Sequence, residues 1–92
     1  MKTCSPKVEE ILDILQEECA EVIQAISKCR RFGIENVYKD GGTQREHLVQ
    51  ELGDVTLLVE LLHAHQLFTE SELHQAKLNK STKLVQWSNI YD

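Results

Sequence analysis

The amino-acid sequence predicts an all-α fold, an antiparallel helical bundle whose core is completed by homo-oligomerisation. Three segments carry apolar residues at three- and four-residue spacing, which is the period of an amphipathic helix. Each segment begins with residues that typically cap helices, and no segment alternates apolar and polar residues as a strand does. A length of 92 residues fits a single domain, 1–92.

The first predicted helix covers about residues 6–32. Ser5 offers an N-cap, and Pro6 suits the first helical position because the N–H that proline lacks has no partner there. The apolar positions that follow repeat at helical spacing: Val8, Ile11, Leu12, Leu15, Cys19, Val22, Ile23 and Ile26. The repeat ends near Phe32. Because Cys19 falls on this apolar stripe, we expect its thiol to be buried.

Residues 33–42 are predicted to form a loop, because they hold three of the four glycines and lose the helical period. A second helix is predicted over about 44–65. Thr43 and Glu46 have the spacing of a capping box in front of it. The apolar positions of this helix resume the period: Leu48, Leu52, Val55, Leu58, Val59 and Leu62.

A third helix is predicted over about 70–87. Thr69 and Glu72 form a second capping box at its start. Its apolar positions are sparser: Leu73, Ala76, Leu78 and Leu84. The short connection of residues 66–68 predicts an antiparallel or sharply angled turn between the second and third helices.

Composition excludes several classes of function. A formal net charge of -5 without a Lys/Arg-rich block argues against a nucleic-acid polymer as partner. No apolar run approaches the roughly 20 residues of a membrane span, and the first residues lack the apolar core of a signal peptide. We therefore expect a cytoplasmic protein without a membrane partner. Cys4, Cys19 and Cys29 show no C-x-x-C spacing, so neither a disulfide framework nor a zinc site is predicted.

Four acidic residues stand out by their positions on the predicted helices. Glu18 interrupts the apolar stripe of the first helix, and Glu21 lies on the same flank one turn later. Glu51 interrupts the stripe of the second helix, with Asp54 on its flank. Two such pairs on antiparallel neighbours would bring four carboxylates into one groove.

This groove would be strongly repulsive without a cation, because unpaired carboxylates are costly to remove from water. Hard divalent cations such as Mg²⁺ take oxygen ligands and bridge carboxylates to substrate phosphates. A solvated helix face is the competing interpretation of either pair alone, since charged residues are mostly exposed.

The string LQEECAEVIQAISK from Leu15, followed by ELGDV from Glu51, resembles the E-E-x-x-E … E-x-x-D signature of the MazG-like all-α nucleoside triphosphate pyrophosphohydrolases. The resemblance covers the first two predicted helices. The chain departs from the family in the long segment between Glu21 and Glu51, which includes the 33–42 loop. The function of this loop therefore stays open.

The resemblance implies hydrolysis of a (deoxy)nucleoside triphosphate to the monophosphate and pyrophosphate, as nucleotide-pool housekeeping. It implies Mg²⁺, for which Mn²⁺ can substitute, as the cofactor, held by the matching residues Glu18, Glu21, Glu51 and Asp54. Glu17 matches the leading acid of the family signature. Either Glu17 or Glu18 could accept the proton of the attacking water.

Lys77 and Lys80 are candidate phosphate contacts, because the family places cations on a late helix and these two lie three residues apart. A solvated helix face explains them equally well. The base-binding residues are undetermined. The aromatic side chains available for base recognition are Trp87, Tyr91, Tyr38, Phe32 and Phe68.

Two other functions compete with the enzyme. One is a non-catalytic helical dimerisation or regulatory module that keeps the fold and binds divalent cations without turnover. The other is a di-iron carboxylate bundle, because Glu60 and His63 form an E-x-x-H unit. This unit occurs once and faces away from Glu51. The open apolar flank predicts self-association as a homodimer or homotetramer.

Overall fold

The computed structural model describes residues 5–92 and contains three α-helices. Helix α1 spans Pro6–Phe32, α2 spans Gln44–Ala64 and α3 spans Glu70–Trp87. The described residues form no strand, only one isolated antiparallel bridge between Val37 and Thr43. The predicted all-α class is therefore confirmed. Cys4 lies outside the described residues.

The ends of α1 follow the capping signals of the sequence. The Ser5 hydroxyl accepts a hydrogen bond from the backbone N–H of Val8 at 3.2 Å, and Pro6 follows it as the first helical residue. At the other end Gly33 adopts φ 97°, a conformation that disfavours residues with a Cβ. Its N–H donates to the carbonyl of Cys29 at 3.0 Å, so one of the last carbonyls of the helix is satisfied.

The segment between α1 and α2 is an ordered, hairpin-like loop. Gly41 has φ 95° and its N–H donates to the carbonyl of Tyr38, which turns the chain back. The loop is then fixed to the start of α2, because the Gln44 N–H donates to the Asn36 carbonyl at 2.9 Å and the Arg45 N–H to the Ile34 carbonyl at 2.8 Å.

The predicted capping boxes differ between the two later helices. At α3 both hydrogen bonds form, since the Thr69 hydroxyl accepts from the Glu72 N–H and the Glu72 carboxylate accepts from the Thr69 N–H. At α2 the Thr43 hydroxyl accepts from the Glu46 N–H, but the Glu46 carboxylate bonds the Thr43 hydroxyl instead of the backbone. Only the α3 box is reciprocal.

Helices α1 and α2 pack against each other in antiparallel orientation. The start of α1 meets the end of α2 in a hydrophobic cluster of Val8, Ile11, Leu58 and Leu62. At the opposite end the Cys29 thiol donates to the Gln44 carbonyl at 3.5 Å, which joins the end of α1 to the start of α2. Leu15, Leu61 and Phe68 pack against the hydrophobic cluster. The antiparallel helix pair is thus closed at both ends.

The contact line on α1 repeats every seven residues, as expected for two long packed helices. Val8, Leu15, Val22 and Cys29 are buried or half-buried along it. Cys19 is exposed, so the prediction of a buried Cys19 thiol was wrong. The reason is geometric, since Cys19 lies beside this line on a flank of α1 that α2 does not cover.

The buried core is small, and α3 adds no buried residue to it. The extensive helix packing is confined to α1 and α2 within the described part of the chain. Many large apolar side chains stay exposed, with Ile23 at 68% and Trp87 at 82%. Within residues 5–92, no helix combines the length and apolar character needed to cross a membrane.

We expect Leu62→Ala to lower the free energy of unfolding by about 2–3 kcal/mol, because Leu62 is only 5% exposed and its truncation leaves a cavity. Leu57, on the same helix, is 55% exposed, so Leu57→Ala should change this free energy by less than about 0.5 kcal/mol. Urea unfolding followed by circular dichroism measures both values. Equal losses would contradict the assignment of the core.

Candidate metal centre

Two carboxylates face each other in the middle of the α1–α2 contact. Glu18 lies on α1 between the half-buried Leu15 and Val22, and Glu51 lies on α2 between Leu48 and Val55. Both glutamates are themselves half-buried. The apolar neighbours on either side fix the two helices at a distance at which these side chains must meet.

Asp54 joins them to form the acidic cluster, which we define as Glu18, Glu51 and Asp54. One carboxylate oxygen from each lies within 4.8 Å of the others. Gln50 supports the cluster from the next turn of α2, because its amide nitrogen donates to Asp54 Oδ1 at 3.0 Å. Hydrogen bonds from neighbouring side chains hold the carboxylates of a metal site in a fixed orientation.

The pKa of the Glu18 carboxyl is raised above its ordinary value. Partial removal from water is the largest cause, followed by the negative charges of Asp54 and Glu51. A hydrogen bond with Asp54 and the charge of Glu21 raise the pKa further. The neighbouring negative charges thus disfavour the ionised form of Glu18, and a cation bound at the cluster would counter this effect.

The cluster fits a hard divalent cation by its chemistry and its size. All three ligands are carboxylate oxygens, the donors that Mg²⁺ prefers. Mg²⁺ binds oxygens at about 2.1 Å, so two ligands on opposite sides of it are about 4.2 Å apart. The carboxylate oxygens of the cluster lie within 4.8 Å of one another, so small side-chain rotations would bring them around such an ion.

Glu21 and Glu17 lie outside this spacing. Glu21 is exposed one turn along α1, where its charge still raises the pKa of Glu18. Glu17 is also exposed and lies about 100° round the helix from Glu18. The structure therefore brings together three of the four predicted metal ligands, without the candidate base Glu17.

In the described part of the chain, the structure shows no contact between Lys77 or Lys80 and the acidic cluster. Both are exposed on α3, which has no extensive packing against α1 or α2. Glu60 and His63 are exposed as well, and the acidic cluster contains no histidine. The E-x-x-H unit therefore has no place in this centre.

A family comparison agrees with this geometry. The sequence model of the MazG nucleotide pyrophosphohydrolase domain matches residues 7–83, which is most of the chain. The chain belongs to the MazG family. No individual curated protein and no solved structure matches it. In this MazG domain the matched range includes all four acids predicted as ligands, together with Lys77 and Lys80.

Sequence reasoning missed two polar residues of this MazG domain. Gln50 holds Asp54, and its i, i+4 spacing to Asp54 is the signal that could have revealed it. Lys28 lies on the side of α1 that bears Glu21, seven residues further along, and it hydrogen-bonds the Tyr38 hydroxyl in the loop. The seven-residue spacing from Glu21 indicates which side of α1 bears Lys28. Its hydrogen bond with Tyr38 could not be predicted, because that bond depends on the conformation of the loop.

We expect the metal-free protein to lose thermal stability as the pH rises through the raised pKa of Glu18. The folded state binds this proton more tightly than the unfolded state does, so the stabilisation is complete below the ordinary pKa. It disappears above the raised pKa. Thermal melts in a chelator at mildly acidic and neutral pH would show the trend.

Glu18→Gln should flatten this pH dependence, and saturating Mg²⁺ should reduce it in the wild type. Glu60→Gln is the matched control, because Glu60 is exposed and outside the acidic cluster. It should keep the wild-type trend. An unchanged trend in Glu18→Gln would contradict the account of the acidic cluster.

Proposed function

We propose that this protein is a Mg²⁺-dependent nucleoside triphosphate pyrophosphohydrolase that serves nucleotide-pool housekeeping. The observation that carries the proposal is the convergence of Glu18, Glu51 and Asp54 in a chain of the MazG family. Carboxylates placed together between two packed helices repel one another. A divalent cation that binds there with a polyphosphate would offset this repulsion, which would explain why the fold brings the acids together.

In the proposed site Glu18, Glu51 and Asp54 hold the cation, and Glu21 completes the set by rotating towards it. Gln50 keeps Asp54 oriented. When bound, Mg²⁺ or Mn²⁺ neutralises the triphosphate and lowers the pKa of a coordinated water.

A carboxylate, Glu18 or the neighbouring Glu17, accepts a proton from the attacking water. Attack breaks the bond between the α and β phosphates, so the products are the nucleoside monophosphate and pyrophosphate. The protein contributes mainly position and charge, as is usual in such displacements.

We also propose that the active form is a homodimer or homotetramer. Ile23 lies about 200° round α1 from Glu21, and Leu52 lies about 200° round α2 from Asp54. The helix pair therefore has an acidic face, bearing these acids, and an apolar face on its other side. The exposed residues of the apolar face are Leu12, Ile23, Ile26, Val49 and Leu52.

Helix α3 gives a second reason for self-association. It has 18 residues, none of them buried, whereas most of the stability of a helix in a protein comes from packing of its amphipathic face. In an assembly, α3 could lie over an acidic face of its own chain or of a partner. Lys77 and Lys80 would contact the substrate phosphates only in that arrangement.

Incubation with Mg²⁺ and a panel of canonical and modified nucleoside triphosphates should release pyrophosphate and a monophosphate. Glu51→Gln should lower the rate at least about 100-fold, because it removes a ligand, and even the loss of a residue that only hydrogen-bonds a ligand costs about 10- to 100-fold. Glu60→Gln, on the same helix but outside the acidic cluster, should keep wild-type activity.

The same assay separates the enzyme from the non-catalytic module. If no nucleotide in the panel is hydrolysed, while calorimetry still detects Mg²⁺ binding that Glu51→Gln abolishes, the regulatory module is the correct function. Full turnover by Glu51→Gln would instead contradict the assignment of the metal site, while the proposed activity would still be supported.

We expect multi-angle light scattering to give a dimer or tetramer at micromolar concentration. Ile23→Glu should shift the protein towards monomer, because it places a charge on the apolar face, where Ile23 is 68% exposed in the single chain. Gln24→Glu, an adjacent exposed position, is the control and should leave the mass unchanged. A stable wild-type monomer would contradict the proposed assembly.

A further inference from the structure

A pocket of about 390 Å³ lies where the end of α1 meets the 33–43 loop and the start of α2. Its lining includes Lys28, Phe32, Asn36, Tyr38 and Gln44. Its volume falls within the range of small-molecule sites, about 300 to 1,000 Å³. We call it the loop pocket.

Helix geometry places the loop pocket two turns along α1 and α2 from the acidic cluster. Lys28 follows Glu21 by seven residues on α1, and Gln44 precedes Glu51 by seven residues on α2. Residues seven apart on a helix lie on the same face, two turns or about 10 Å along the axis. A ligand with its phosphates at the acidic cluster could therefore extend its other end into the loop pocket.

The loop wall of the pocket is held in place by Tyr38. Its hydroxyl hydrogen-bonds Lys28, whose ammonium lies 5.0 Å from the centre of the ring. The ring also contacts the His47 ring, with centroids 4.2 Å apart, and His47 lies 3.2 Å from Asp40. Contacts from both helices therefore anchor Tyr38, which makes the pocket a built feature of the fold.

The remaining polar and aromatic groups suit a planar heterocycle. Phe32 is 51% exposed, and its ring is held by Arg31 at 4.9 Å. The Gln44 side chain is only 4% exposed, and its amide nitrogen donates to the Asn36 amide oxygen at 3.4 Å. Aromatic rings stack on bases, and paired amides offer the donors and acceptors that base edges need.

We propose that the loop pocket binds the nucleoside of the substrate, with Phe32 stacking on the base and Asn36 and Gln44 hydrogen-bonding its edge. This inference rests on the proposed function. It gives a role to the enlarged loop, the segment in which the chain departs from the family pattern. The lining contains no carboxylate and two lysines, Lys28 and Lys39, so it suits a neutral base joined to an anionic phosphate chain.

Another depression lies on the apolar face and is lined by Ile26, Ile34 and Leu48, with Arg30, Glu35 and Arg45 around them. A second copy of the chain that buries the apolar face would cover this depression. The paired amides and the two lysines of the loop pocket would lose their solvation in such an interface.

Steady-state kinetics with the preferred nucleoside triphosphate test the proposal. Phe32→Ala should raise KM about 5-fold or more, the effect of losing one stacked base, with kcat little changed. Asn36→Asp keeps the shape but exchanges a donor for an acceptor, so it should change which base is preferred. Ile34→Ala, in the same loop but lining the depression on the apolar face, is the control and should leave KM unchanged.

Inorganic tripolyphosphate provides a probe without a base. Its inhibition constant should be the same for wild type and Phe32→Ala, because this substitution changes no charge. If Phe32→Ala weakens the binding of tripolyphosphate as much as the binding of the nucleotide, or if it changes KM no more than Ile34→Ala does, the proposal is overturned.

Nucleoside titrations keep this test independent of catalysis. Adenosine, guanosine, cytidine and uridine, added without metal to the Glu51→Gln variant, should shift the NMR signals of Phe32, Asn36 and Gln44. These shifts would support the loop pocket even if no triphosphate were hydrolysed and the proposed function failed. Nucleoside shifts elsewhere, or none with any of the four, would overturn it.

Discussion

Repulsion among the carboxylates of Glu18, Glu51 and Asp54 is the constraint on which the rest of the structure depends. It acts in the middle of the α1–α2 contact, where packing alone would place apolar side chains. The fold resists it from both ends. The hydrophobic cluster around Leu62 holds one end of the helix pair, and the Cys29–Gln44 hydrogen bond, beside the buried Ala25, holds the other. The fold therefore holds these carboxylates together at a cost in stability, which a cation bound in the proposed site would offset.

This arrangement also explains why a chain of 92 residues exposes so much apolar surface. Because carboxylates occupy the middle of the α1–α2 contact, they replace part of the apolar core that a small domain needs. Within the proposed function, two binding events would restore the stability that the small core does not provide. A bound cation adds free energy by mass action, about 2.7 kcal/mol at 100 times its dissociation constant. A second copy adds the burial of the apolar face.

The sequence was most informative where one residue's position on a helix decides its environment. The helical period and the caps predicted three helices, and Glu18, Glu51 and Asp54 met because each lies on or beside an apolar stripe. The prediction for Cys19 failed because a stripe has two flanks and α2 covers only one of them. The role of Tyr38 was invisible, because it depends on loop hydrogen bonds that join residues without any period.

In the proposed function the two faces of the helix pair have different tasks, and this division limits where α3 can act. Burial of the apolar face by a second copy would leave the acidic face open to a nucleotide. The acidic cluster would take the phosphates, and the loop pocket two turns away would take the base. In the described chain α3 has no extensive packing against α1 or α2, so it leaves the opposite side of this groove open. A polyphosphate bound at the acidic cluster would have no cationic partner on that side. Lys77 and Lys80 of α3 could provide one, so substrate and α3 would stabilise each other on the acidic face.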